Sequence, residues 1–200
     1  MRGLLTAIRM TVVLTVLTGL IYPLVLTGIA RVLFPWQSAG SLVGHGGQVV
    51  GSAIIGQNFA APQYFHSRPS AAGDKGYDAS SSGGSNLGPT NKTLVETVRK
   101  RVKDELETDP GVAANQIPVD LVTTSGSGLD PEISPAAAEV QVPRVAKARG
   151  LSQDTVAQMV RQNTRGRWLG IIGEPGVNVL TLNLALDEDA ATLHGRRASP

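Results

Sequence analysis

The chain of 200 residues contains no cysteine, only eight aromatic residues and few charged side chains. The absence of cysteine excludes a disulfide framework, a zinc–thiolate site, an iron–sulfur cluster and a thiol nucleophile, but fits either side of a bacterial membrane. Residues 35–200 hold 15 Lys and Arg against 16 Asp and Glu. This balance gives no support to a basic nucleic-acid-binding surface, although the pI of the whole chain is about 9.2.

The first 34 residues are apolar and contain no acidic side chain. From Met10 to Ala30 the chain has 21 residues without a charge, between Arg9 and Arg31. As a helix, this run would span about 30 Å, the thickness of the hydrocarbon core of a bilayer. A cleaved signal peptide is the alternative, but its apolar region is usually only about 7–15 residues long and ends in small residues. We therefore predict a retained transmembrane helix over 10–33 that follows a short tail, 1–9.

The arginines around this segment indicate its orientation. Arg2, Arg9 and the amino terminus precede the span, and Arg31 is the only cation near its end. Cytoplasmic flanks carry the excess of positive charge, so the bias predicts a single-pass protein of the inner (plasma) membrane with a cytoplasmic N-terminus. Trp36 is suited to the membrane interface. The soluble domain would then be periplasmic or extracellular.

Small or kinking residues recur every four positions along the span, at Thr11, Thr15, Gly19, Pro23 and Thr27. Such a ridge lets another membrane helix approach closely, and threonine hydroxyls can bond across the contact. The alternative is that these residues are merely tolerated in a membrane helix and that Pro23 only bends it. The ridge predicts helix-to-helix packing within a larger complex.

Residues 34–187 are predicted to form one α+β soluble domain, which a polar tail, 188–200, follows. The β-branched stretch 48–59 is typical of a strand or short hairpin, and the Gly/Ser-rich stretch 66–91 predicts a long loop. Helices are predicted over 91–108, 134–148 and 153–162, from apolar periodicity and capping residues. The alternation over 177–186 predicts a strand.

The usual catalytic signatures are missing. His45, His66 and His194 lie far apart without a metal-binding spacing, so no metal site is predicted. Ser127 lies between two glycines, but the nucleophile elbow needs glycines two positions away on each side. We predict no catalytic residue. A membrane-tethered envelope hydrolase that uses Ser127 or His66 remains the alternative function.

The loop Ser125-Gly126-Ser127-Gly128-Leu129-Asp130 precedes the second predicted helix. Successive backbone N–H groups in a glycine-rich turn can bind a phosphate, which makes these six residues a candidate nucleotide site. The alternative is a tight turn in which Asp130 and Ser134 cap the following helix. No lysine or arginine lies within the loop to neutralise a phosphate.

Several stretches together resemble one known family, the C subunit of the Kdp-type potassium-transporting P-type ATPase. The match runs from the membrane segment to Asp187 and rests on seven stretches in a fixed order: 34–37 (FPWQ), 51–59 (GSAIIGQNF), 64–70 (YFHSRPS), 82–87 (SGGSNL), 127–130 (SGLD), 144–149 (RVAKAR) and 177–187 (VNVLTLNLALD). Relatives often carry histidine where this chain has Glu132.

The resemblance implies a small subunit with one transmembrane helix in a potassium-import complex. Its expected partners are a channel-like potassium-binding subunit, a P-type ATP-hydrolysing subunit, a very small accessory membrane chain and the lipid bilayer. The family is described as a catalytic chaperone that raises ATP affinity, with the SGLD region proposed to help hold nucleotide. The chain would have no cofactor of its own and would at most share ATP. Because ATP is cytoplasmic, an exported domain would have to act indirectly.

Overall fold

A computed structural model describes the backbone from Arg2 to Arg197 and the side-chain surroundings through Asp189. It contains one N-terminal apolar helix and an α+β domain, in agreement with the predicted fold class. The chain divides into two compact units after Leu42.

Helix α1 spans Arg2–Leu33 and is long and apolar enough to cross a membrane. It begins before the predicted span, so residues of the expected tail are also helical. Residues Leu17–Ile21 form a π-helical turn, in which Tyr22 N donates to Leu17 O. Pro23 explains this turn, because its ring would clash with the carbonyl group four residues earlier. The wider π turn accommodates Pro23 without ending the helix.

The remainder of the first unit is a short connection. Phe34 ends α1 with φ near −134°, because the residue before a proline avoids the helical region. Helix α2, Pro35–Ser38, follows at once. Trp36 Nε1 donates to Leu42 O at 2.9 Å, which fixes the indole ring at the end of the unit.

A two-stranded sheet of β1, Leu42–His45, and β2, Gln48–Ser52, follows. All of its residues except Leu42 belong to the second unit. Gly46 and Gly47, both with positive φ, form the turn between the strands. The prediction of a strand or hairpin over 48–59 is thus confirmed only for its first part. Within the described residues, no helix or strand occurs from 53 to 91. The Gly/Ser-rich composition predicts this for 66–91, whereas the strand predicted over 53–59 is absent.

The predicted helices are present, with bounds set by their capping residues. Helix α3 spans Lys92–Thr108. Helix α4, Val119–Val122, follows a 3₁₀ turn at Ala114–Gln116 and was not predicted. Helix α5 spans Pro135–Arg149 and helix α6 spans Gln153–Gln162. The side chains of Asn91, Ser134 and Ser152 accept backbone N–H groups at the starts of α3, α5 and α6. Gly150 ends α5 with φ of 66°.

A small antiparallel sheet packs with these helices. Strands β3, Glu132–Ile133, β4, Thr164–Arg165, and β5, Gly176–Asn178, have the order β3-β5-β4. Val177 is the centre of the register, opposite Ile133 on one side and Thr164 on the other. The core is formed mainly by aliphatic side chains, among them Leu121, Val145, Val156, Val160, Leu182 and Leu186.

The predicted strand over 177–186 is wrong beyond Asn178. Helix α7 starts at Val179 and continues to Arg197. The Asn178 side chain accepts Thr181 N at 3.1 Å, and the buried residues Val179, Leu182, Asn183 and Leu186 follow a helical spacing. The apolar run over 177–186 fits both the two-residue period of a strand and the 3.6-residue period of a helix. Capping by the Asn178 side chain favours the helix. The predicted tail over 188–200 starts within this helix, and residues 198–200 lie outside the described residues.

Candidate functional site

The SGSGLD loop, residues 125–130, connects helix α4 to strand β3. Three successive carbonyl groups of this loop accept hydrogen bonds from distant parts of the chain. Their donors are Gly83 N to Ser127 O (2.8 Å), Ser70 Oγ to Gly128 O (2.6 Å) and Gly56 N to Leu129 O (2.8 Å). Ser125 is buried. The loop is therefore tied into the fold by its own backbone.

Glycines allow this close approach. Gly128 has φ of 67°, and a Cβ atom there would lie 2.5 Å from Gly83 O and 2.8 Å from Ala72 N. A Cβ atom on Gly84 would lie 3.1 Å from Gly126 O. Ser82 Oγ also donates to Ser127 O at 3.0 Å. The Ser/Gly stretch thus packs against the SGSGLD loop of the same chain.

Arg68 joins the two ends of the loop. Its guanidinium group donates to Asp130 Oδ2 at 3.1 Å and to Thr124 O at 3.4 Å. The sequence alone did not point to this residue, because Arg68 and Asp130 lie 62 positions apart. The available signal was that Arg68 is the one cation in the 64–70 stretch.

The helix after the loop is capped by Ser134. Its hydroxyl accepts Ala137 N at 3.0 Å and donates to Asp120 Oδ1 at 3.1 Å, while Asp120 Oδ2 accepts Ser134 N at 2.7 Å. Asp130 instead accepts Glu132 N, ahead of strand β3. Of the two predicted caps, Ser134 is confirmed and Asp130 stabilises a turn rather than the helix.

A cavity of about 570 Å³ borders the loop. Its charged lining consists of four carboxylates and two guanidinium groups, from Asp120, Asp130, Glu132, Glu174, Arg68 and Arg165. Arg68 is paired with Asp130 and Arg165 with Glu132. Glu174 is paired with Arg167, outside the lining, so that Asp120 is the carboxylate in excess. This remaining negative charge would repel a triphosphate. Nucleotide contact by residues 125–130 therefore stays a prediction that this geometry does not favour.

Two buried amides hold the backbone at Phe65 and His66. Asn183 accepts Phe65 N at 2.8 Å and donates to Phe65 O at 3.0 Å. Gln141 accepts His66 N at 2.7 Å and donates to His66 O at 3.3 Å. Both amides are 1% exposed. Sequence reasoning missed them, although each is a polar residue inside an apolar stretch of a helix.

Arginines of α5 complete this attachment. Arg144 forms an ion pair with Asp109 at 3.1 Å, in which both side chains are at most 9% exposed. It also donates to Pro62 O at 2.8 Å and Tyr64 O at 2.9 Å. Arg149 donates to Gln63 O at 2.7 Å and to Asp187 at 2.8 Å, and stacks over the Tyr64 ring. The stretches 64–70, 144–149 and 177–187 thus meet in one network.

The structure gives no support to a serine hydrolase site. The His66 ring lies 3.4 Å from Arg144 Nη1 and from Ala61 O. Burial, together with the Arg144 charge, lowers the pKa of His66 to about 4, which makes it a weak base. The Ser127 hydroxyl instead contacts Ser125 Oγ and Leu129 N. Among the described residues, no group of three potential metal ligands occurs.

The predicted packing ridge lies on α1. Along an α-helix, residues four positions apart are displaced by about 40° around the helix axis at each step. The wider π turn at Leu17–Ile21 turns the later residues back toward the face of the earlier ones. Thr27 Oγ1 donates to Pro23 O at 2.8 Å, so its proton is used within the helix. Packing through Thr11, Thr15, Gly19, Pro23 and Thr27 remains a prediction.

Comparison with known proteins gives the same assignment as the motifs. Residues 4–188 match the sequence model of the family described as KdpC: K+-transporting ATPase, c chain. The chain is 57% identical over 192 residues to the potassium-transporting ATPase KdpC subunit of Gemmatimonas aurantiaca, covering 96% of both chains. It is 54% identical to the KdpC subunit of Koribacter versatilis over 186 residues, covering 93% of this chain and 94% of the relative.

A third relative is the KdpC subunit of Bradyrhizobium diazoefficiens, which is 54% identical over 202 residues, with 96% of this chain and 99% of the relative covered. These relatives carry the name of a transporter subunit, and the apolar helix α1 fits a membrane location. The chain therefore belongs to the KdpC family of potassium-transporting ATPase subunits.

Proposed function

We propose that this chain is a non-catalytic accessory subunit that stabilises an ATP-driven potassium-import complex and raises the ATP affinity of its hydrolysing subunit. The observation that carries this proposal is the SGSGLD loop, whose carbonyl groups and carboxylate bind other parts of the same chain. A loop whose polar groups are bonded to the same chain stabilises the fold of the domain and leaves few groups to bind a ligand. The effect on ATP is then transmitted through contact between subunits.

The proposed partners are the channel-like potassium-binding subunit, the P-type ATP-hydrolysing subunit and the small accessory membrane chain. Helix α1 supplies one contact through its small-residue ridge. The arginines that flank the span favour a cytoplasmic N-terminus, so the soluble domain would face the periplasm or the cell exterior. On that side it cannot meet cytoplasmic ATP. An indirect effect agrees with both the charge bias and the acidic cavity beside Asp130.

The dependence of ATP hydrolysis on ATP concentration tests this proposal in the assembled complex. Leaving out the chain should raise the KM for ATP and abolish potassium uptake at low external potassium. Asp130→Asn should leave the KM within about two-fold of the parent value, because the change removes a partly buried ion pair within the domain, worth about 1 kcal/mol, and no contact with nucleotide. Asp154→Asn, on an exposed position of α6, is the matched control.

Two results would contradict the proposal. Normal uptake without the chain would exclude an accessory role in transport. A KM raised several-fold by Asp130→Asn, at unchanged subunit content, would show that the loop holds nucleotide directly. The amount of chain that copurifies with the complex separates these results from a loss of assembly.

A further inference from the structure

An apolar hairpin projects from the small sheet. Residues 166–173, here called the Trp hairpin, lie in the connection from β4 to β5. Its four large side chains are all more than half exposed: Trp168 64%, Leu169 72%, Ile171 76% and Ile172 54%. Four such residues together are unusual on a soluble surface, whereas single exposed apolar residues are normal. An apolar cluster rimmed by polar residues marks an interaction site.

The backbone of the Trp hairpin is already formed in the isolated chain. Trp168 N donates to Ile172 O at 2.8 Å, and Ile172 N donates to Trp168 O at 3.0 Å. The strands on both sides pair Arg165 with Gly176. The apolar tip is therefore presented on an ordered support, which lowers the entropy cost of binding.

Leu169 occupies a backbone conformation that suits glycine better. Its φ is 51°, and Gly170 follows with φ of 78°, so that both central residues of the turn have positive φ. Asparagine and glycine are preferred at such positions, and a leucine there is strained. The side chain of Leu169 contributes little to the core, since it is 72% exposed. A strained, exposed leucine is explained if the side chain is buried by a partner.

The rim of the hairpin is electrically neutral. Arg165 pairs with Glu132 at 2.7 Å, and Arg167 pairs with Glu174 at 2.8 Å. Anionic lipid surfaces attract unpaired cations, which these two arginines are not. A tryptophan among aliphatic side chains with a neutral polar rim is instead typical of the centre of a protein interface.

From these observations we propose that the Trp hairpin inserts into an apolar groove on another subunit of the same transport complex. This inference rests on the proposed function, because it assumes that the chain acts by assembly. The hairpin is small for a stable interface by itself. It suffices as a second attachment in a chain that is also held through its membrane helix, since linked contacts bind with a high effective concentration.

Two truncations and one control test the hairpin in the full-length chain reconstituted with its partner subunits. Leu169→Gly and Trp168→Ser should each weaken retention of the chain in the complex about ten-fold, as truncation of a central interface residue does. Leu169→Gly should melt at or above the parent temperature, because glycine relieves the positive φ. Val119→Ser, which removes a single side chain that is 69% exposed, should change neither property.

A photo-crosslinking residue at position 168 identifies the occupant. An adduct with a partner subunit, mapped to aliphatic residues, supports the proposal. Adducts only with lipid, or only with a second copy of this chain, would overturn it. Retention unchanged by both truncations would also overturn it, and if omission of the whole chain still abolished uptake, the accessory role would stand without the hairpin.

Discussion

The SGSGLD loop and the Trp hairpin are both short, glycine-containing connections, but they direct their side chains and backbone groups in opposite ways. In the loop, the carbonyl groups of Ser127, Gly128 and Leu129 and the Asp130 carboxylate bind other parts of the chain. In the hairpin, the backbone hydrogen bonds found among the described residues lie within the hairpin itself, and Trp168 is left exposed.

This difference separates residues that stabilise the domain from residues that are available to a partner. Buried polar groups must be paired, so the motif residues around the SGSGLD loop are explained by the fold itself. Folding does not explain an exposed apolar tip. We therefore expect substitutions in the first region to change stability and substitutions in the second to change binding.

The largest loss of stability is expected for Asn183→Leu. The change leaves Phe65 N and Phe65 O buried without partners, which should cost about 2–4 kcal/mol of unfolding free energy. Urea unfolding in detergent, followed by circular dichroism, measures this loss. Asn115→Leu, at an exposed position, should change the unfolding free energy by less than about 0.5 kcal/mol. Equal effects of the two substitutions would contradict a role for the Asn183 amide in pairing the Phe65 backbone.

Gly128→Ala should cost about 2 kcal/mol, because it combines a positive φ with a Cβ atom 2.5 Å from Gly83 O. Gly126→Ala is the matched control within the same loop, where a Cβ atom would meet nothing within 4 Å. Thermal melting of both variants under one condition compares them. A loop that is free to move would tolerate both changes alike.

Glu105→Gln should stabilise the chain at high pH. Burial and the neighbouring charge of Asp109 raise the pKa of Glu105 from 4.5 to about 7. The folded chain then holds this proton more tightly than the unfolded chain, so stability falls as pH rises from about 4.5 to about 7. Glutamine removes this loss and should gain about 1 kcal/mol at pH 8, but nothing at pH 4.

The control for Glu105 is Glu107→Gln, whose side chain is 68% exposed. Unfolding curves at pH 4 and pH 8 compare the two variants. A gain for Glu107→Gln at pH 8 equal to that of Glu105→Gln would indicate a general charge effect rather than burial of one carboxyl group.

The smallest stability effect is expected in the Trp hairpin. Ile171→Ser removes a side chain that is 76% exposed and should change the unfolding free energy by less than about 0.5 kcal/mol. The same urea titration measures it. A loss comparable to that of Asn183→Leu would show that the hairpin belongs to the folding core and is not reserved for a partner.

The parts of the fold that follow from local chemistry were predictable. Ser134, Ser152 and Gly150 mark helix ends because capping depends on adjacent residues. The start of α7 was missed because the apolar run after Val177 fits the periods of both a strand and a helix, and only the cap formed by Asn178 distinguishes the two. Arg68 and Asn183 were missed because each bonds to residues more than sixty positions away. Pairing at such distances is set by the tertiary fold.

The sidedness of the soluble domain tests the central claim most directly, since an exported domain can act on ATP affinity only by contact. The cysteine-free chain permits single labels: Ser81→Cys in the exposed loop and Gly3→Cys at the start of α1. Intact cells are treated with a membrane-impermeant maleimide. We predict labelling of Ser81→Cys in intact cells, and of Gly3→Cys only after permeabilisation. The reverse pattern would place the SGSGLD loop beside cytoplasmic ATP and contradict the account.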